Sequence, residues 1–188
     1  MNCRAIRASL CIGTVLVLPL SVATPAGAQE HGKAGVTMGF PASIGVIVHT
    51  TDTVALRPEF SFSKNTTEGP TSADGWAVGT GVSALFYVAS HDHVRTYVSP
   101  RITYSKISTT AASTFSSFTT TSTIWGGAGS FGAQYSPTPK FGLFGEVGLA
   151  YSRQTVHPGV PSFPGVSSPD VKGNQWGTRA GVGVIFYP

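Results

Sequence analysis

Six charged side chains lie in the middle of largely apolar stretches of this sequence, and we consider them first as candidates for chemistry. They are Arg57, Glu59, Arg95, Arg101, Glu146 and Arg179. Carboxylates and guanidinium groups that meet in a narrow interior can neutralise one another, or they can gate a path for water and ions. We favour a structural charge network over a gate. Glu146 and Arg179 fall on neighbouring segments at similar depth, so we expect an ion pair between them.

Other residue types that support chemistry are not arranged for it. The run 91–93, His-Asp-His, has ligand-type side chains close together, but a metal site needs three or four converging ligands. We interpret this run as a solvated turn. Serine-dependent hydrolysis needs a histidine and an acid within hydrogen-bond reach of the serine, and no segment offers that combination. We therefore expect no catalytic residues, no metal ion and no cofactor.

The segments that carry the six charges alternate between an apolar face and a polar face, which is the pattern of β-strands. In 54–63, for example, Leu56 and Phe60 have even numbers, whereas Arg57 and Glu59 have odd numbers. All six charges lie on the polar face. The same alternation occurs in 76–89, 94–106, 122–135, 141–153 and 174–187, and in the shorter runs 36–40 and 44–48.

The apolar face has no segment to cover it, which favours contact with lipid. Its aromatic residues form two belts near the strand ends. The outer belt contains Phe62, Trp76, Tyr104, Trp125, Tyr151 and Trp176, and the inner belt contains Phe86, Tyr135, Phe141 and Phe186. Two aromatic girdles and a polar interior are typical of transmembrane β-barrels. The alternative fold, a soluble lipocalin-like carrier, would expose the apolar face to water.

Short and long connections alternate along the chain, as periplasmic turns and extracellular loops do in such barrels. Tight turns occur at 50–53, 90–93 and 136–139, and long polar connections occur at 64–75, 107–121 and 154–173. Pro41 interrupts the first segment, and treating it as a break gives an even number of strands. The sequence therefore predicts an all-β fold, an eight-stranded antiparallel up-and-down transmembrane β-barrel.

The first residues have the pattern of a secretory signal peptide. Two arginines precede an apolar run at 10–20, and the small residues at 26–28 form a cleavage site. The apolar run is too short to cross a bilayer, which takes about 20 helical residues. We expect residues 1–28 to be a cleaved signal peptide and residues 29–188 to form one barrel domain.

Cleavage would change both the cysteine content and the charge of the chain. Cys3 and Cys11 are the two cysteines of the sequence, so the expected mature protein has no disulfide. Arg4 and Arg7 would also be removed, which leaves a formal charge of +2 instead of +4, because ten basic residues then oppose eight acidic ones. This charge is too small to indicate nucleic-acid binding.

The end of the sequence resembles an outer-membrane assembly signal. A polar residue, a glycine, an apolar residue and an aromatic residue occur at the required spacing, at Arg179, Gly181, Val184 and Phe186. With the signal peptide and the strand pattern, residues 33–187 resemble the small bacterial outer-membrane β-barrel families, the OmpA-like, OmpX-like and opacity-protein group. The resemblance implies a place in a Gram-negative outer membrane and recognition by the barrel-assembly machinery.

The same resemblance implies a structural or surface-interaction role without catalysis, since members of the group act as scaffolds, adhesins or host-surface ligands. No peptidoglycan-binding domain is expected after the barrel. Three alternatives remain: an adhesin-like protein that binds a host or surface ligand through its long loops, a narrow porin-like pore, and a lipid A-modifying enzyme.

Four basic residues share the lipid-facing parity at the outer ends of their strands. They are Lys64, Lys106, Arg153 and Lys172. Lipopolysaccharide phosphates lie at this level of an outer membrane, and lysine and arginine bind phosphate well. We expect outer-membrane lipid and lipopolysaccharide to be partners of the chain. The alternative is that these side chains only extend toward the polar headgroups without a specific contact.

Overall fold

The computed structural model describes residues 33–41, 43–68, 72–112, 117–159 and 169–188. The segment expected to be a signal peptide lies outside these residues. The strands are β1 (Ala34–Phe40), β2 (Ser43–His49), β3 (Val54–Thr67), β4 (Ser72–His91), β5 (Val94–Ala112), β6 (Ser117–Thr138), β7 (Phe141–His157) and β8 (Val171–Phe186). In this described part of the chain, no helix is long and apolar enough to cross a bilayer.

Each strand pairs antiparallel with the next, and β8 closes the ring by pairing with β1. The predicted eight-stranded up-and-down barrel is therefore confirmed, and Pro41 does separate β1 from β2. Met38 of β1 pairs directly with Val184 of β8 where the ring closes. If the paired residues are instead traced from Met38 through β2, β3 and each following strand, the trace reaches β8 at Asn174, ten residues away from Val184. This stagger of ten residues tilts the strands by roughly 35–45° from the barrel axis.

The side chains face the sides that the parity predicts. The large apolar residues on the outside include Trp125, Val147 and Trp176, which are 59%, 60% and 75% exposed. The six mid-strand charges point into the lumen instead, where four of them are buried and Arg101 and Arg179 are partly exposed. Because the exterior is largely apolar, contact with lipid is favourable and contact with water is unfavourable.

The height of the apolar exterior can be measured between its two aromatic belts. The belts lie ten residues apart on four strands, at the pairs Trp76 and Phe86, Trp125 and Tyr135, Tyr151 and Phe141, and Trp176 and Phe186. With a rise of about 3.3 Å per residue and a tilt of about 40°, ten residues span roughly 25 Å along the axis. This distance equals the height of the apolar band of outer-membrane barrels, about 25 Å.

The strands are longer than the sequence pattern predicts. Strand covers most of the polar stretches 64–75 and 107–121 and both ends of 154–173, so the connections between strands are 68–71, 113–116 and 158–170. The stretch 107–121 is rich in threonine, which is β-branched and favours strands although it is polar. Thr110 and Thr119 even share a hydrogen bond of 2.9 Å across β5 and β6. In the membrane, a strand is identified by the alternation of apolar and polar residues. A strand outside the membrane is polar on both faces and lacks this pattern.

A charge on the lipid side of this barrel should oppose its insertion. Val147 lies midway between the belts on the outer surface of β7, so Val147→Arg should destabilise the barrel in lipid by about 2–4 kcal/mol. The measurement is unfolding in denaturant after refolding into phosphatidylcholine vesicles. Thr66→Arg, at an exposed site in the polar part of β3, is the control and should change the unfolding free energy by less than about 0.5 kcal/mol. Equal effects of the two arginines would contradict the membrane placement.

Candidate functional site

The centre of the lumen contains a cluster of charged side chains from β3, β5, β7 and β8, which we call the lumen charge cluster. Arg57 donates a hydrogen bond from Nη2 to Oε1 of Glu146, and its Nε lies 3.2 Å from Oε1 of Glu59. Arg101 forms an ion pair with the other oxygen of Glu59. Tyr97 donates a hydrogen bond of 3.0 Å to Glu146. The side chains of Arg57, Glu59 and Glu146 are almost completely shielded from solvent, so each neutralises a charge that would be costly to bury alone.

Arg179 is the loosest member of this cluster. Its Nη2 lies 3.8 Å from Oε2 of Glu146, which is too long for a hydrogen bond, and a quarter of its side chain is exposed. The main partner of Glu146 is instead Arg57, which comes from the other side of the lumen, because β3 and β7 are not neighbours in the sheet. The expected pair between Glu146 and Arg179 is thus present only as this longer contact.

Arg95 is separate from the lumen charge cluster, although the sequence pattern grouped it with the other five charges. Its guanidinium carbon lies 3.6 Å from the centroid of the Tyr87 ring, a cation–π contact. It also donates a hydrogen bond to the main-chain oxygen of Asp52 in the β2–β3 turn. Arg95 therefore holds a tight turn against the barrel interior and does not share the two carboxylates.

A layer of aromatic and polar side chains fills the lumen on the side of the tight turns. Tyr87 donates a hydrogen bond of 2.9 Å to Gln134, and the ring of His49 lies 3.1 Å from the hydroxyl of Tyr187. All four side chains are buried. Neither His49 nor Tyr187 was among the predicted site residues. Odd-numbered residues of β2 and β8 face the lumen, and His49 and Tyr187 both have odd numbers. This parity could have identified them.

One glycine allows the tyrosine of the cluster to occupy its place. A Cβ atom built on Gly132 would lie 2.5 Å from Cζ of the Tyr97 ring, and Tyr97 is fully buried, so its ring has no free space to move into. A side chain at this position would displace the hydroxyl that donates to Glu146. Gly129, three residues earlier on β6, has no atom within 4 Å of its built Cβ and lies on the exposed face.

Gly132→Ala should therefore destabilise the barrel, and Gly129→Ala should not. Overpacking of a filled interior costs about 1–3 kcal/mol, which should appear as a lower unfolding free energy in denaturant. The two variants add the same methyl group to the same strand and differ only in the face that receives it. A similar loss of stability in both would mean that the contact with Tyr97 is not the cause.

Glu146→Gln tests whether the cluster is structural or gates a path. The substitution keeps the shape of the side chain but leaves Arg57 without its main counter-charge, and the loss of one partner of a buried pair costs about 3 kcal/mol. We expect a lower unfolding free energy and no conductance in planar bilayers. Asp74→Asn, at an exposed carboxylate of β4, is the control and should alter neither property. New channels in the Glu146→Gln recordings would contradict the structural role.

The four outer basic residues all point away from the barrel and are exposed. Lys64 pairs across strands with Trp76, and Arg153 pairs with Trp125, so both lie at the level of the outer aromatic belt. Lys106 is connected to Lys172 by successive cross-strand pairs through β6 and β7. Because the strands are tilted, such a row rises toward the outer end of the barrel, and Lys172 lies roughly 9 Å further out than Lys106. Within the described ranges, none of these four residues has an ion-pair partner.

His91 and His157, which end β4 and β7, are exposed, and each pairs with one aspartate. His91 lies 3.3 Å from Asp92 in the β4–β5 turn, where Asp92 has a positive φ of 48°. His157 lies 2.6 Å from Asp170 at the outer end of the barrel. In the part of the chain that the structure describes, no three histidine, cysteine or acidic side chains come close enough together to hold a metal ion.

The residues of the expected assembly signal lie along β8. Arg179 points into the lumen charge cluster, whereas Phe186 points outward and contacts Phe141, with 5.3 Å between the ring centroids. Gly181 pairs with Glu146, and Val184 pairs with Met38 across the closure of the ring. The segment thus closes the barrel, and its recognition by an assembly machinery stays a prediction.

Comparison with known proteins identifies the fold through solved structures. No protein-family model matches the sequence, and no curated protein matches it either. The chain is similar to a major outer membrane protein from Thermus thermophilus, with a TM-score of 0.55 and 13% identity over 82% of this chain and 98% of that one. It is also similar to Ail, the attachment invasion locus protein of Yersinia pestis, with a TM-score of 0.46 and 14% identity over 84% of this chain and 99% of that one.

The fold, the apolar exterior and the charged interior together define the class of protein. The chain is a small eight-stranded transmembrane β-barrel of the bacterial outer-membrane type. The expected resemblance to small outer-membrane barrels is confirmed at the level of the fold.

Proposed function

We propose that this chain is an outer-membrane barrel with a structural and surface-interaction role and without catalytic activity. The observation that supports this proposal is the extension of β3 to β8 beyond the outer aromatic belt. On β6, eight residues separate Trp125 from the strand end at Ser117. At the rise and tilt given above, they extend roughly 20 Å above the membrane. A sheet of this height is costly to order for a protein whose only task is to span the bilayer.

The surface of this extension suits contact with other molecules. It is rich in serine and threonine, and it has a free edge, because β2 begins only at Ser43 and leaves the outer end of β3 without a partner on that side among the described strands. Unpaired main-chain groups at a sheet edge can accept an extended segment of another protein. The adhesin-like alternative therefore uses the strand extension as well as the loop tips.

Shortening the extension tests the surface role. In the shortened variant, residues 108–121 of β5 and β6 are replaced by an Asn-Gly turn, which joins the paired residues Ile107 and Ser122. The intact and shortened barrels are displayed on a non-adherent bacterial strain, and binding to host cells and matrix proteins is counted. We expect the intact barrel to confer binding and the shortened one to lose at least about 90% of it, a loss of roughly 1.4 kcal/mol or more.

The control for this experiment is the heat-modifiable migration of the shortened barrel on a gel, which reports that the barrel is folded. Unchanged binding by the folded, shortened barrel would show that the extension is not the binding surface. If neither barrel binds, the adhesin-like alternative is excluded for the ligands tested, and the result supports a role as a membrane scaffold.

The four outer basic residues support a second contact, with lipopolysaccharide. Lys64, Lys106 and Arg153 lie near the rings of the outer aromatic belt, where an aromatic side chain can pack against acyl chains while the cation meets a phosphate. Lys172 lies further out, where phosphates of the sugar core occur. All four cations are exposed, and none has an ion-pair partner in the described part of the chain. They can therefore bind such phosphates.

Replacement of all four residues by glutamine should weaken the retention of lipopolysaccharide. We expect at least a three-fold decrease in the lipopolysaccharide that co-purifies per barrel, since each exposed charge contact contributes roughly 0.2–1 kcal/mol. The matched control is Lys33→Gln with Lys140→Gln, at the opposite end of the barrel. Equal retention by the fourfold variant, the control and the unaltered barrel would dismiss a specific contact.

A further inference from the structure

The barrel wall has a gap above the hairpin of β1 and β2, which we call the wall notch. β1 ends at Phe40, whose partner on β8 is Val182, so β8 from 171 to 181 has no neighbour on that side among the described strands. On the other side of the notch, β3 continues seven residues beyond its last pair with β2, Ile44 and Phe60. The top of the hairpin lies below the outer aromatic belt, because Val182 is six residues from Trp176 along β8. The wall notch therefore reaches down into the outer half of the apolar band.

A cavity of about 200 Å³ connects the wall notch to the lumen charge cluster. The cavity is lined by the top of the hairpin, including Phe40, Pro41 and Ser43, and by the charged residues Arg101, Arg179, Glu59 and Glu146. A water molecule occupies about 30 Å³ in the liquid, so this space accommodates a group several times larger. Below the cavity, the contacts among Arg57, Glu146 and Tyr97 fill the lumen. The cavity is thus open toward the notch and closed toward the tight turns.

The charges around this cavity do not balance. The lumen charge cluster contains three guanidinium groups and two carboxylates, which leaves one positive charge. Glu59 and Glu146 are already engaged by Arg57, Arg101 and Tyr97, and Arg179 has only a distant contact with Glu146.

Several buried guanidinium donors of the cluster, on Arg57, Arg101 and Arg179, also have no hydrogen-bond acceptor. The Nε atoms of Arg101 and Arg179 are buried and have no hydrogen-bond partner. Buried polar atoms are nearly always paired, and an anion is one group that supplies acceptors to guanidinium donors. Both arginines line the same cavity, so one anion in that cavity can supply the acceptor atoms and the negative charge together.

We propose that the cavity at the wall notch binds a phosphate group, which Arg101 and Arg179 hold from two sides. Guanidinium groups form short, paired hydrogen bonds to the oxygens of phosphate. The hydroxyl of Ser43 at the cavity wall is a further donor. The phosphate reaches the cavity either free in solution or as the headgroup of an anionic lipid in the outer half of the membrane, since the notch opens at that depth.

The test measures the arginine side chains directly. The intact barrel is labelled with ¹⁵N-arginine in dodecyl maltoside micelles, which contain no phosphate, and the Nε–Hε signals are assigned with Arg101→Lys and Arg179→Lys. Inorganic phosphate, dihexanoyl phosphatidylglycerol and dioctanoylglycerol, a lipid without phosphate, are titrated separately against sodium chloride at equal ionic strength. We expect saturable shifts of the Arg101 and Arg179 signals with at least one phosphate compound, and none with dioctanoylglycerol or chloride.

The two phosphate compounds distinguish the source of the ligand. Saturation by inorganic phosphate alone assigns a free anion, and tighter saturation by phosphatidylglycerol assigns a lipid headgroup. Arg179→Gln should weaken the binding that is observed by about ten-fold to a hundred-fold, because it removes a charged hydrogen-bond donor. Lys140→Gln, which removes an exposed charge at the other end of the barrel, should leave the affinity unchanged.

Two results would overturn the proposal. One is the absence of saturable shifts of the Arg101 and Arg179 signals with either phosphate compound in the unaltered barrel, a measurement that does not depend on the folding of any variant. The other is an equal affinity of the Arg179→Gln and Lys140→Gln barrels for phosphate, which would place the bound anion elsewhere on the surface.

Discussion

Between the two aromatic belts, ionised side chains have a place only inside the barrel, and the rest of the structure depends on that constraint. Outside lies a lipid-facing band about 25 Å high, in which each basic group would cost about 2–4 kcal/mol. Inside, Glu146 meets Arg57 and Glu59 meets Arg101, so most of the charge is neutralised within the lumen. Because the faces of a strand alternate with every residue, this single requirement fixes the register of all the charged strands.

Once the charges point inward, other side chains must fill most of the lumen around them. A ring of eight strands with a stagger of ten residues encloses a space that side chains can fill completely. The lumen charge cluster fills its middle, and the layer around Tyr87 and Tyr187 fills the end with the tight turns. The same filling explains why Gly132 faces Tyr97, since two large side chains at that level would exceed the available width. Side chains therefore fill the lumen between the wall notch and the tight turns.

The outer end of the barrel is built differently, and that asymmetry supports its proposed roles. β4, β5 and β6 are 20, 19 and 22 residues long, whereas β1 and β2 have only seven residues each. The long strands form a polar sheet above the membrane, and the short hairpin leaves the wall notch beside the surplus charge of Arg179. The barrel thus has both an unpaired sheet edge and a small cavity beside Arg101 and Arg179 on the same side of the bilayer.

The sequence by itself determined the strand count, the two faces and the position of the six charges, because these follow from an alternation of period two and from the energetics of a lipid exterior. It did not identify the outer strand extensions, since polar residues in β-strands outside the membrane alternate without an apolar signal. Only the tertiary structure decided which charges meet. Arg57 and Glu146 contact each other across the lumen, Arg95 packs on Tyr87, and Arg179 is left with a cavity beside it. Those contacts depend on the stagger with which the ring closes, which is a property of all eight strands together and of no single segment.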